Sequence, residues 1–141
     1  MRITDNLLAA HPAWTPDGEH IIFATHEKST ANLFKMSVSE KTPKQLTFFS
    51  GEVSVFNPAV SPDGSQVVFS FSGEDGNTDL YLLEFSSGES SRLTTSPAVD
   101  YLPVWSPDGA ALIINDSKIH LNILSHLRGP LYSSLYKIEH R

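Results

Sequence analysis

The sequence predicts an all-β fold made of three four-stranded antiparallel units. Three observations carry this. The corner word S/T-P-D-G occurs three times, in "HPAWTPDGEHIIF", "FNPAVSPDGSQVVF" and "YLPVWSPDGAALII", with Asp17, Asp63 and Asp108 spaced by 46 and 45 residues. "NLFKMSV" from Asn32 and "DLYLLEF" from Asp79 are 47 apart, and "QLT" from Gln45 and "RLT" from Arg92 are also 47 apart. No segment keeps a 3.6-residue apolar period, so no helix is expected.

Each unit is justified element by element. A first strand runs into the corner at His11–Trp14, Phe56–Val60 and Leu102–Trp105. The corner suits a tight turn, because proline presets φ and glycine accepts backbone angles that other residues avoid. The second strand is "HIIFAT", "QVVFSF" or "ALIIN", rich in β-branched and aromatic residues. The third is "NLFKMSV", "DLYLLEF" or "SLYKIEH", and the fourth is "QLT" or "RLT".

A repeated four-stranded unit of this length is the pattern of a β-propeller blade. The runs "VVFSF" and "LYLLEF" are apolar on both faces, so a lone sheet would leave one face wet. Stacked sheets bury both, at about 25 cal/mol per Å². The expected units are about 11–48, 56–95 and 102–140, within one domain spanning 1–141.

The words "P-A-W-T-P-D-G", "P-A-V-S-P-D-G" and "P-V-W-S-P-D-G", with "GNTDLYLLEF" and "SRLTTS", resemble the TolB-type propeller repeat, a relative of the WD-type blade. That resemblance implies a propeller fold. Similar repeats serve in proteins that link cell-envelope components, in prolyl-oligopeptidase-like enzymes and in some polysaccharide lyases, so fold does not settle function.

The third unit departs from the pattern. Pro16 to Asn32 is 16 residues and Pro62 to Asp79 is 17, but Pro107 to Ser134 is 27. An insertion at 118–133 is expected, with Ser134–His140 as third strand and no fourth after it. "RIT" at Arg2–Thr4 matches "RLT", so residues 1–5 are expected to complete a last unit. Closed propellers have about 4 to 8 blades. Two accounts are open: a piece of a larger propeller, or a homodimer that completes a six-bladed ring.

The formal charge of −6, with no basic cluster, argues against nucleic acid or an anionic membrane as partner. No apolar run of about 18 residues predicts membrane insertion. Cysteine is absent, which excludes disulfides and thiolate metal sites. The start lacks the basic and apolar pattern of an export signal, so a cytoplasmic location is expected for this stretch, and a periplasmic one if a signal-bearing segment precedes it.

No G-x-S-x-G elbow and no phosphate-binding glycine loop is present, so no catalytic residue is assigned. "DGNTD" at Asp75–Asp79 lacks the glycine and distal glutamate of a calcium loop and is expected to be a hairpin turn. Neither a metal nor a cofactor is expected. Six histidines show no HxH or HxxxH spacing. His11 stands where Asn57 and Leu102 stand in the other units, near the expected central channel, so His11 and Asn57 are candidate partner-binding residues. Asp100 and Tyr101, leading into the third unit, join them. Ile119, Leu121 and Ile123 alternate with polar residues in the insertion and complete the candidate contact set. Trp14 and Trp105 hold matching positions and are expected to pack between units. The expected function is a non-catalytic scaffold for protein partners; the alternative is the propeller part of a larger enzyme.

Overall fold

The structure is a computed structural model and describes residues 8–95, 97, 99–116, 121–125 and 135–138. Three antiparallel four-stranded sheets follow one another along the chain. The first holds β1 (Ala9–Trp14), β2 (His20–Glu27), β3 (Thr30–Ser37) and β4 (Pro43–Gln45) in sequence order. The second holds β5 (Ser54–Val60), β6 (Gln66–Ser72), β7 (Thr78–Glu84) and β8 (Ser90–Arg92). The third holds β9 (Asp100–Trp105), β10 (Ala111–Asp116), β11 (Leu121–Ser125) and β12 (Leu135–Ile138). No helix occurs among the described residues.

The alternation of side chains across each strand sorts the core into two layers. Ile22, Ala24 and Leu33 of the first sheet meet Val55, Val67, Phe69 and Leu83 of the second, all essentially without exposure. Phe49, Phe71 and Tyr81 cluster beside them, with Phe71 and Tyr81 centroids 4.4 Å apart. The opposite face of the second sheet, with Val68 and Leu80, packs on Leu112 and Ile114 of the third. The second sheet is therefore greasy on both sides because both sides are covered, as the two-faced apolar runs required.

The three corners are built alike. In each, the backbone N–H of the glycine donates to the carbonyl of the Thr or Ser, at 2.9, 2.8 and 2.9 Å for Gly18, Gly64 and Gly109. The aspartate Oδ1 accepts from that same hydroxyl and from the N–H two residues on, as in Ser61 to Asp63 at 2.7 Å and Ser65 to Asp63 at 3.0 Å. The glycines sit at φ +70°, +74° and +71°, where a Cβ would be strained. "DGNTD" likewise forms a turn: Gly76 donates to the Gly73 carbonyl, and the Asn77 N–H to Asp75 Oδ1.

The third sheet corrects the expected strand assignment. Its third strand is β11, at Leu121–Ser125, and the segment around Leu135–Ile138 is the fourth. From Pro16 to Thr30 is 14 residues, from Pro62 to Thr78 is 16, and from Pro107 to Leu121 is 14. The repeat is thus kept as far as the third strand, and the extra chain lies between β11 and β12. Likeness between "SLYKIEH" and "NLFKMSV" pointed to the wrong partner, because β10 pairs first with the nearest strand that can turn back on it. Five consecutive pairs, from Ala111–Ser125 to Asn115–Leu121, make that hairpin. The sheet has its own fourth strand at Leu135–Ile138; residues 1–5, expected to complete a last unit, lie outside the described ones.

Candidate functional site

Each first strand carries the same irregularity. The pairing of β1 with β2 slips between Ala10 and Ala13, and that of β5 with β6 slips between Phe56 and Ala59. The pairing of β9 with β10 slips in the same way beside Tyr101 and Val104. At each bulge an x-Pro pair stands: His11-Pro12, Asn57-Pro58 and Leu102-Pro103. Proline has no N–H to give the ladder, so it belongs on an edge strand or at a bulge, and β1, β5 and β9 are the first strands of their sheets. The residue before each proline takes a left-handed backbone, with φ of 52°, 50° and 53° at His11, Asn57 and Leu102. Asn tolerates this conformation and leucine does not favour it.

These bulges meet. The three x-Pro pairs and Val104 line one open depression of about 220 Å³. The His11 ring lies 6.1 Å from that of Phe56, the neighbour of Asn57. Among these lining residues His11 is the only titratable side chain, so the depression offers an imidazole, an amide and apolar walls. Enclosed small-molecule pockets run from about 300 Å³ upward. This depression is smaller than that and open, and three prolines wall it.

The expected candidates are only partly gathered there. His11 and Asn57 line the depression, and Leu102, named in the sequence as their counterpart, lines it too. Asp100 is 2% exposed and Tyr101 half-buried, and neither lines it. Leu121 and Ile123 lie in β11, away from the first strands, and Ile119 lies outside the described residues. The prolines went unassigned in the sequence, although their threefold recurrence one residue after the candidates was the available signal.

One cluster has metal-ligand residue types: Asp17, Glu19 and His20, with ligand atoms within 4.8 Å of one another. It sits on the first corner, where Asp17 Oδ1 is already used by the Thr15 hydroxyl and the Glu19 N–H. These contacts, first the hydroxyl and then the N–H, hold the Asp17 carboxyl below the usual range. The Ser106 hydroxyl and the Ala110 N–H do the same for Asp108. The shift at both corners therefore follows from turn geometry.

Beside the fourth strands, a partly buried latch recurs with different charges. In the second sheet Asp79 receives Arg92 Nη2 at 2.6 Å, while Arg92 Nε donates to the Thr94 carbonyl. In the first sheet Asn32 accepts from the Thr47 hydroxyl at 2.9 Å, and Gln45 Nε2 donates to the Thr47 carbonyl. The matching positions thus carry a direct ion pair in the second sheet and two neutral amides, each bonded to Thr47, in the first.

Antiparallel four-stranded sheets stacked face to face, with their first strands around one depression, define a β-propeller segment. The chain belongs to the TolB beta propeller domain family, whose model matches residues 3–119. It is 32% identical over 104 residues to the Tol-Pal system protein TolB of Anaeromyxobacter dehalogenans, an alignment covering 73% of this chain and 23% of that one. It is 30% identical over 122 residues to the uncharacterized peptidase YuxL of Bacillus subtilis, covering 82% of this chain and 18% of the relative. The crystal structure of TolB from Acinetobacter baumannii superposes with a TM-score of 0.77 at 26% identity, covering 92% of this chain and 31% of that one. The chain therefore spans less than a quarter of the length of these two sequence relatives.

Proposed function

We propose that this chain is a non-catalytic propeller scaffold that binds a protein partner through the depression formed by His11, Asn57 and Leu102. The observation that carries this is the threefold left-handed bulge. Three non-glycine residues hold an uncommon backbone at matching positions, and strained positions that recur together cluster at functional surfaces. Two copies form a six-sheet ring around the depression, each sheet group corresponding to about 11–48, 56–95 and 102–140. The presence of relatives named for the Tol-Pal system supports a protein partner.

A photo-reactive amino acid in place of His11, in the cells that make the protein, tests the scaffold. Adducts to one defined polypeptide are expected from position 11 and none from position 44, on the exposed fourth strand of the first sheet. Equal labelling from both positions, or none from position 11, sinks it.

The second reading is the propeller part of a larger peptidase, favoured by the similarity to YuxL. It requires a hydrolase domain outside these residues. Under that reading His11→Ala in the full-length protein changes peptide turnover, and a binding scaffold shows no turnover to change. Among the described residues no helix is long and apolar enough to cross a membrane.

A further inference from the structure

Successive sheets meet twice inside the chain, and their corners can be matched residue by residue. At the corner rim, a Cβ placed on Gly64 would lie 3.8 Å from Pro16 Cδ, and one placed on Gly109 would lie 3.5 Å from Pro62 Cδ. Each corner glycine thus rests on the corner proline of the sheet before it. Deeper in, Trp105 of the third sheet donates its Nε1–H to the Ala59 carbonyl of the second at 2.9 Å. Pro58 and Pro103 at the bulges are buried.

The first sheet has all the corresponding groups, and each is uncovered. Trp14 holds the place of Trp105, pairing with Ile21 as Trp105 pairs with Leu112, and it is 59% exposed. Among the described residues, a Cβ on Gly18 would meet nothing within 4 Å. Pro12 is exposed where Pro58 and Pro103 are buried. The third sheet carries the complementary half: Val104 stands where the half-buried Ala59 stands and is 58% exposed, and Pro107 stands where Pro62 stands.

We infer that a second copy of this chain covers the first sheet, its Val104 carbonyl accepting from Trp14 Nε1 and its Pro107 resting on Gly18. This rests on the dimer proposed above and names its contact. A second copy is the occupant the geometry favours, because one chain carries both complementary halves. Two copies related by a two-fold axis use every half-surface and close six sheets, within the range of about 4 to 8 for closed rings. An exposed tryptophan that becomes buried with its N–H satisfied is the residue type that dominates such contacts.

Light scattering and sedimentation of the chain are expected to give twice its 15.5 kDa mass. Trp14→Val places there the residue that the second sheet carries as Val60, so folding should be kept. It is expected to weaken association about tenfold or more, the loss of roughly one satisfied hydrogen bond with its packing. With only two tryptophans in the chain, Trp105→Phe leaves Trp14 as the sole indole reporter. Its emission should shift blue, and its quenching by acrylamide should fall, as the protein is concentrated. A dimer unaffected by Trp14→Val, or one in which Trp14 stays fully quenchable, overturns this contact and leaves the dimer standing. A monomer at every concentration overturns both.

Discussion

Trp105 Nε1 donates to the Ala59 carbonyl at 2.9 Å, joining two sheets through residues 46 positions apart. The indole also packs against the layer formed by Val68, Leu80, Leu112 and Ile114. One side chain therefore ties the bulge of one sheet to the first strand of the next. Trp105→Phe keeps the aromatic packing and removes the donor. It is expected to cost about 1–3 kcal/mol by leaving that carbonyl without its partner. Urea unfolding followed by circular dichroism measures the loss.

Phe69 lies at 0% exposure between the first two sheets, edged by Phe49 and Tyr81. Phe69→Ala should cost about 3–5 kcal/mol, through lost transfer energy plus a residual cavity. Because native domains are stable by only about 5–15 kcal/mol, a clear fall in the denaturation midpoint and faster hydrogen exchange are expected at 25 °C. An unchanged denaturation midpoint contradicts the stacked core.

The latch made by Asp79 and Arg92 gives a test that uses the repeat as its own control. Arg92→Met leaves the buried Asp79 carboxylate without its cation and should cost about 1–3 kcal/mol, discounted because the arginine is partly exposed. The pair Asp79→Asn with Arg92→Gln copies Asn32 and Gln45 of the first sheet and should recover most of that loss. A double variant as unstable as Arg92→Met would show that the two latches are not equivalent.

Acid should loosen the corners. Asp17 and Asp108 have native pKa values below the ordinary range, caused first by the Thr15 and Ser106 hydroxyls and then by backbone N–H groups. With the native value depressed, the unfolded chain binds the proton more readily. The stabilisation is therefore present above about pH 4 and is lost as pH falls through the native values. Both carboxylates are exposed, so the slope is shallow. Asp17→Asn with Asp108→Asn should flatten the thermal midpoint between about pH 4 and about pH 2 relative to the parent. An equally steep decline in the double variant would place the acid sensitivity elsewhere.

Leucine at φ 53° is the least comfortable of the three bulge residues. Leu102→Asn supplies the residue that the second sheet uses at Asn57, and the lost apolar contact is small because Leu102 is 48% exposed. A gain of about 0.5 kcal/mol in stability is expected. Differential scanning calorimetry measures it, and a loss instead would mean that the leucine packs more than it strains.

Much was legible in the chain alone, because the determining forces are local. Proline and glycine in S/T-P-D-G dictate a corner from their own backbone limits, and runs such as "QVVFSF" dictate strands that must be covered on both faces. Matching positions in the repeat also put His11, Asn57 and Leu102 at equivalent places. The tertiary structure decided what depends on neighbours. Repeat likeness put Trp14 and Trp105 in the same environment, yet Trp105 has a sheet in front of it and Trp14 stands open. Likeness also assigned the third strand of the last sheet to the wrong segment, since strand pairing rewards the closest chain that can turn back and not the most similar letters. The left-handed bulges, and their convergence on one depression, came only from packing: a backbone angle of that kind is held by what surrounds it.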